Sequence, residues 1–340
     1  MSDDVRKLAR IVTIDSIEKA TNSDRLEIAR IGGWQVVVGK GSYRAGDTAI
    51  FCEIDSQIPV EDPRFDCPDW MREQSKMVEG VPRYNLKTAR LRGNLSQGIL
   101  FDVSRFKELD GKSPGDDVTD LIGVTKKPDP VIGGDVIGAF PSHLMIKSDS
   151  ERIQNLGDIW EDIKKRSWVV TEKIDGMSVG VINDNSTLRV THRNNEVRSD
   201  KHRVFDAIPE SVFLENLPDK WAVQGELFGP GIQKNPLDQD KVRFLIHNVF
   251  NRGIPVPRSE WTDWMVDNSV PVRARYNPEV GNIPSTIDEM IEKYDGIRSF
   301  VNPESRAEGV VLMEWQGHVI PGMSRPNFKV ISNTYLLKGK

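Results

Sequence analysis

From Lys7 to about Asp102 the sequence consists of short strand signals set too close together for helices to intervene. The segments LARIVTID, LEIARI, WQVVVGKG, TAIFCEID, LKTARLRG and GILFDV follow one another, separated by turn material such as SYRAGD and RGNLSQG. Many short strands with few helical periods predict a small all-β barrel, and a domain of this size suits an OB fold. The whole chain has 340 residues, too many for one ordinary core and few for three, so two domains are expected.

Pro and Gly crowd residues 127 to 141, which places a linker at 127–144 between a barrel domain over 1–126 and a second domain over 145–340. In the second domain Ser148 or Ser150 is a candidate cap for a helix through about Arg166, with Ile153, Leu156, Ile159 or Trp160, and Ile163 at helical spacing. Strands and helices then alternate irregularly: WVVTE, a hairpin SVGVIND/TLRVTHR, WAVQGEL, VRFLIHNVF, helices from Ser259 and Ser285, and EGVVLME. That order predicts an α+β fold whose second domain is built on antiparallel sheets, not on βαβ units.

Composition narrows the function classes. Apolar content is 38 % and charged content 29 %, ordinary for a soluble globular protein. No run approaches the roughly 18 apolar residues of a membrane span, and MSDDVRKLARIVTIDS is not a secretory signal, so an intracellular, cytoplasmic chain is the default expectation. Cys52 and Cys67 have no His or Cys cluster around them, which argues against a disulfide framework or a zinc site. A net charge of −5 speaks against coating nucleic acid through bulk electrostatics. A local groove is still open to it, since Arg83, Lys87, Arg90 and Arg92 stand in RYNLKTARLR without an acid. Such a basic run is more often a solvated face.

The chemistry is carried by one lysine. There is no Walker A loop and no G-x-G-x-x-G. Instead TEKIDG sets Lys173 after an apolar run expected to be a buried strand, with Glu172 and Asp175 beside it and Gly176 permitting a tight turn. A lysine is a nucleophile only when deprotonated, and carboxylates alone oppose that. A nucleophilic Lys173 therefore calls for a divalent metal, and hard ions such as Mg2+ or Mn2+ accept carboxylates and retained waters as ligands. The plainer reading is a strand end and turn with a surface ion pair, and K-x-D-G alone arises by chance about one time in ten in a chain this long. Downstream, however, stand QGELFG with Glu226, RFLIHNVF with His247, AEGVVLM with Glu308 and NFKVIS with Lys329.

Together these segments resemble motifs I, III, IIIa, IV and V of the covalent nucleotidyltransferases, the superfamily of DNA ligases, RNA ligases and mRNA capping enzymes. Capping enzymes and many DNA ligases carry an OB domain after motif V. Here eleven residues follow Lys329, so the barrel is expected in front. That order, with RLEIARIGGWQVVVGKG, DTAIFCEIDSQIP and KSDSERIQNL, resembles ATP-dependent RNA ligases that seal nicks with RNA on the 3′-OH side.

The resemblance implies that Lys173 takes AMP from ATP as a lysyl adenylate, that AMP passes to a 5′-phosphate, and that a 3′-OH then attacks the activated end. It implies Asp175, Glu226 and Glu308 for the metal, largely through water, with Asp175 and Glu226 also reaching toward ribose. Lys329 is expected on the α-phosphate and Arg152 on the triphosphate. Arg193 is expected near ribose or the RNA terminus, His247 stacked on adenine, and Glu172 at the adenine edge or supporting the lysine turn. The family's second motif V lysine is replaced by Asn327. The implied partner is RNA or an RNA-containing duplex, bound by a monomer. A DNA ligase, a guanylyltransferase or a non-catalytic RNA-binding relative are the competing readings.

Overall fold

The computed structural model describes residues 7–126, 135–147, 150–279, 283–323 and 325–338. The chain divides into two compact units, Met1–Val131 and Ile132–Lys340. In the first unit the strand Thr48–Glu53 is central: it pairs antiparallel with Ala9–Thr13 on one side and Gly98–Asp102 on the other. Ser16–Lys19, Leu26–Ile31 and Trp34–Gly39 form an antiparallel meander. A further sheet runs Thr125–Lys126, Ser56–Pro59, Val81–Asn85, Lys76–Val78. The all-β character is as the sequence predicts, although the strands are distributed over several small sheets.

Alternating burial explains how these strands make a core. In Trp34–Gly39 the pattern buries Trp34, Val36 and Val38, and Trp34 packs against Phe51 with ring centroids 5.6 Å apart. Trp34 is therefore a core residue. Cys52 and Cys67 are both buried free thiols, and burial pushes both thiols up, Cys67 to about 11.

The second unit is built on two sheets. One has seven strands in the order Val136–Ala139, Asn195–Val197, Thr187–Thr191, Met177–Asp184, Trp221–Phe228, Arg243–Asn251, Ile254–Pro255. The other has five: Glu151–Arg152, Asn327–Ile331, Gly309–Glu314, Trp168–Lys173, Val272–Tyr276. In the five-stranded sheet Trp168, Val170, Val310, Leu312, Phe328 and Val330 turn to one face and join Trp160, Ile287, Met290 and Ile291 in a single apolar cluster. Successive side chains alternate across a strand, so Thr171, Lys173, Val311 and Lys329 point away from that core.

Two expectations are corrected. The stretch read as linker contains the strand Val136–Ala139, which pairs with Asn195–Val197; residues 127–134 of that stretch lie outside the described residues. The expected helix up to Arg166 is mostly not α-helical, and Ser148 lies outside the described residues. Glu151–Arg152 is an edge strand, followed by the 3-10 turns Ile153–Asn155 and Gly157–Ile159 and one α-turn, Trp160–Ile163. Apolar residues three apart suit 3-10 turns as well as helices, and Ile153, Leu156, Trp160 and Ile163 still enter the core. The helix expected from Ser285 is Ile287–Tyr294, started by a capping box between Thr286 and Glu289. Among the described residues no helix is long and apolar enough to cross a membrane.

Candidate active site

Lys173 ends the strand Trp168–Lys173 of one sheet, and Met177 begins Met177–Asp184 of the other. The three residues between them carry the chain from sheet to sheet. Gly176 is required there: a Cβ would stand 2.4 Å from the Leu227 carbonyl oxygen and 3.0 Å from Glu226 Cγ. The close approach of this turn to the Glu226 strand is what brings motif I against motif III. Gly309 has the same role beside Glu308, since a Cβ would stand 2.1 Å from the Val330 carbonyl oxygen.

Three acids converge on the lysine. Lys173 Nζ donates to Glu308 Oε2 at 2.6 Å, with side-chain exposures of 26 % and 13 %, and the charges of Glu226 and Asp175 also act on it. Burial lowers the affinity of the amine for its proton, but the three carboxylates outweigh burial and its pKa is raised. Glu226 responds in the opposite sense. Burial pushes it up to about 8, with Glu308 and Asp175 adding to the rise against the opposing pull of Lys173 and a Gly176 hydrogen bond. Asp175 is buried, and its Oδ2 accepts a 2.6 Å hydrogen bond from the Tyr335 hydroxyl.

Beside the lysine the sheet register lines up the cations. Thr171 is opposite Val311, Val311 opposite Lys329, and Lys329 opposite Arg152 through a parallel pair. Arg152 and Lys329 thus occupy one row on adjacent strands, spaced about 4.8 Å, and Lys173 lies two residues along on the same face. Adjacent cations on a sheet are suited to a polyanion.

Glu172 and His247 complete the surroundings. The Glu172 side chain is fully buried; its Oε2 accepts from Arg273 at 3.0 Å and from the Phe300 N–H at 2.7 Å, whereas its Oε1 has no hydrogen-bond partner. Arg273 also lies 4.0 Å above the Phe300 ring, which is 55 % exposed. His247 has no partner in the ladder between Trp221–Phe228 and Arg243–Asn251: Gln224 pairs with Asn248 and Gly225 with Ile246, leaving His247 at a bulge. Bulges re-aim side chains. Burial first, and then the Lys173 charge, lowers its pKa to about 4, so the half-buried ring is neutral near pH 7.

The structure therefore gathers Lys173, Asp175, Glu226, Glu308 and His247 into one electrostatic cluster, with Arg152 and Lys329 on the same sheet face. Arg193 stands at the turn joining Thr187–Thr191 and Asn195–Val197, in the sheet that also carries Glu226 and His247. The sequence reading missed Tyr335, Arg273 and Phe300, none of which falls in a motif. The three carboxylates around a cationic amine suit a hard divalent ion. Among the described residues no group of three His, Cys, Asp or Glu side chains is arranged to grip an ion directly.

Residues 166–331 match the RNA ligase family model, and residues 8–103 match an OB-fold domain model. No curated protein sequence matches the chain. Among solved structures, a glutamate-to-alanine mutant of Naegleria gruberi RNA ligase with AMP and Mn is similar at a TM-score of 0.85 and 30 % identity, over 98 % of this chain and 99 % of that one. A lysine-to-alanine mutant of the same ligase with ATP and Mn gives 0.84 at 30 % identity, over 98 % and 99 %. The ligase with PPi gives 0.82 at 30 % identity, over 98 % of each chain.

The Glu172–Arg273 pair yields a stability prediction. Arg273→Ala leaves a buried carboxylate without its cation, which costs about 3–5 kcal/mol. Denaturant unfolding reads this as a lower midpoint; an unchanged midpoint would show that Arg273 does not hold Glu172.

Proposed function

The chain belongs to the RNA ligase family, and on that premise we propose that it joins RNA ends at the expense of ATP, with Lys173 as the residue that carries AMP. The observation that carries this reading is the shared sheet face: Lys173 lies beside the Lys329–Arg152 row and 2.6 Å from Glu308. The Naegleria relatives with ATP and Mn, AMP and Mn, and PPi support it.

In this reading Lys329 lies on the α-phosphate and Arg152 on the outer phosphates. Neutral Lys173 attacks the α-phosphorus, a P–N bond forms, the P–O bond to pyrophosphate breaks, and the amine gives up its proton. AMP then moves to a 5′-phosphate, and a 3′-OH displaces it to form the phosphodiester. Each step is an in-line displacement in which positioning and charge neutralisation dominate. Asp175, Glu226 and Glu308 would hold a divalent cation, Mg2+ or Mn2+, through its waters, and the bound ion supplies the positive charge that offsets these acids and the growing charge on phosphate.

Base selection follows from Glu172. Its unsatisfied, buried Oε1 is an acceptor suited to the exocyclic amine of adenine. The same edge of guanine carries a carbonyl oxygen, and two acceptors would face each other. Neutral His247 supplies a ring for stacking, and Arg193 is assigned to ribose or the RNA terminus.

In the first unit Arg83 and Arg90 donate to the carbonyl oxygens of Gly123 and Gly93, at 2.7 and 3.0 Å. Such bonds leave the guanidinium charges unneutralised, while Lys87 and Arg92 are exposed. We assign these residues to the RNA backbone, with the first unit as the RNA-binding domain, the second unit as the ligase domain, and nicks with RNA on the 3′-OH side as the substrate of a monomeric enzyme.

With α-labelled ATP and Mn2+, the wild-type chain is expected to become labelled and Lys173→Ala not; equal labelling of the two would end the assignment. GTP in place of ATP, and DNA in place of RNA at the 3′-OH, test the nucleotide and the nick. The pH dependence has a definite sign. The reactive form of Lys173 is the neutral amine and its pKa is raised, so the labelling rate should climb from mildly acidic to alkaline pH, and a rate that falls over that range would contradict an attacking amine.

A further inference from the structure

The short helix Asn333–Lys338 follows the Lys329 strand almost directly, and its first turn is anchored with unusual density. Asp295 accepts from the Ser332 hydroxyl at 2.6 Å, the Thr334 N–H at 2.7 Å and the Thr334 hydroxyl at 2.9 Å. Ser332 Oγ in turn accepts from the N–H groups of Gly296 and Tyr335, at 3.0 and 3.1 Å. The same segment reaches two of the three site acids. The Ser332 N–H donates to the Glu308 carbonyl oxygen at 2.9 Å, and the Tyr335 hydroxyl donates to Asp175 Oδ2 at 2.6 Å.

We propose that Tyr335 is a positioning residue of the nucleotide site, fixing the Asp175 carboxylate from the far end of the chain through a neutral donor. Asp175 is 5 % exposed and shares its surroundings with Lys173, Glu226 and Glu308. A carboxylate so placed can be steadied by a cation, by a proton or by a neutral hydrogen-bond donor. A further cation would compete with the divalent ion and phosphates, and a proton would remove the charge that helps to hold that ion. The phenol orients the carboxylate and leaves its charge in place. Asp295 keeps the phenol's backbone from drifting: burial alone would push its carboxyl up, but the hydrogen bonds from Ser332, Thr334 and Gly296 hold it below the usual carboxylate range.

This inference rests on the ATP reading above, and its test separates the two. In a Lys173→Met parent, which cannot form the adenylate, binding of ATP with Mn2+ is measured by calorimetry. Adding Tyr335→Phe should weaken binding roughly tenfold, the scale of one charge-assisted hydrogen bond. It should also raise the Mn2+ concentration needed for half-maximal binding while the thermal midpoint stays in place. In a Lys173→Met/Asp175→Asn background the same substitution should cost nothing further, because the phenol acts through that carboxylate. Undiminished binding by Tyr335→Phe, with or without a lowered thermal midpoint, would overturn the proposal, as would a full penalty that persists without Asp175. A Lys173→Met parent that binds no ATP would instead strike at the ATP reading itself, and the positioning role would fall with it.

Discussion

One ammonium is surrounded by carboxylates drawn from three different segments, at the point where the chain leaves one sheet for the other. Asp175 comes from the crossing turn, Glu226 from the strand that the turn touches, and Glu308 from the approach to Gly309–Glu314. Burial first, and then the neighbouring acids, make an ionised Glu226 costly, and its affinity for a proton rises accordingly. The Lys173–Glu308 contact relieves part of that cost across neighbouring strands of the five-stranded sheet, while Glu226 is brought in from the other sheet. The cluster is thus arranged around a charge balance that a polyanion and a divalent cation would rearrange together.

Several structural details make sense as support for that arrangement. Gly176 and Gly309 permit backbone approaches that any Cβ would block. The alternation of the five-stranded sheet sends Val170, Leu312 and Phe328 into the core and Thr171, Val311 and Lys329 to the opposite face. Apolar packing on one side therefore fixes the height and spacing of the charged groups on the other. The bulge at His247 interrupts its ladder at a residue whose imidazole feels the Lys173 charge.

The nucleophile, the acids and the motif V lysine could be read from sequence because each lies in a short run whose glycines, strand residues and charges are adjacent along the chain. The position of Arg152 was harder to foresee. Its neighbours repeat at spacings that suit a helix, yet it is captured as an edge strand by a partner nearly at the other end of the unit. Tyr335 left no local pattern at all, since the hydroxyl meets an acid 160 positions away. Glu172 was visible as a charge beside Lys173, but its burial and its partners Arg273 and Phe300 depend on the tertiary structure. The barrel's strands were evident from turn spacing, whereas their division among several sheets is set by long-range pairing.

The parallel pair between Glu151–Arg152 and Asn327–Ile331 joins the beginning of the second unit to its end. During synthesis, the segment bearing Lys173 leaves the ribosome long before Lys329 does. A nascent or truncated chain would own the amine but lack half of the cationic row beside it. The row is therefore assembled only when strands nearly 180 positions apart along the chain have docked, so the amine and its cationic neighbours come together through long-range pairing and not through local folding.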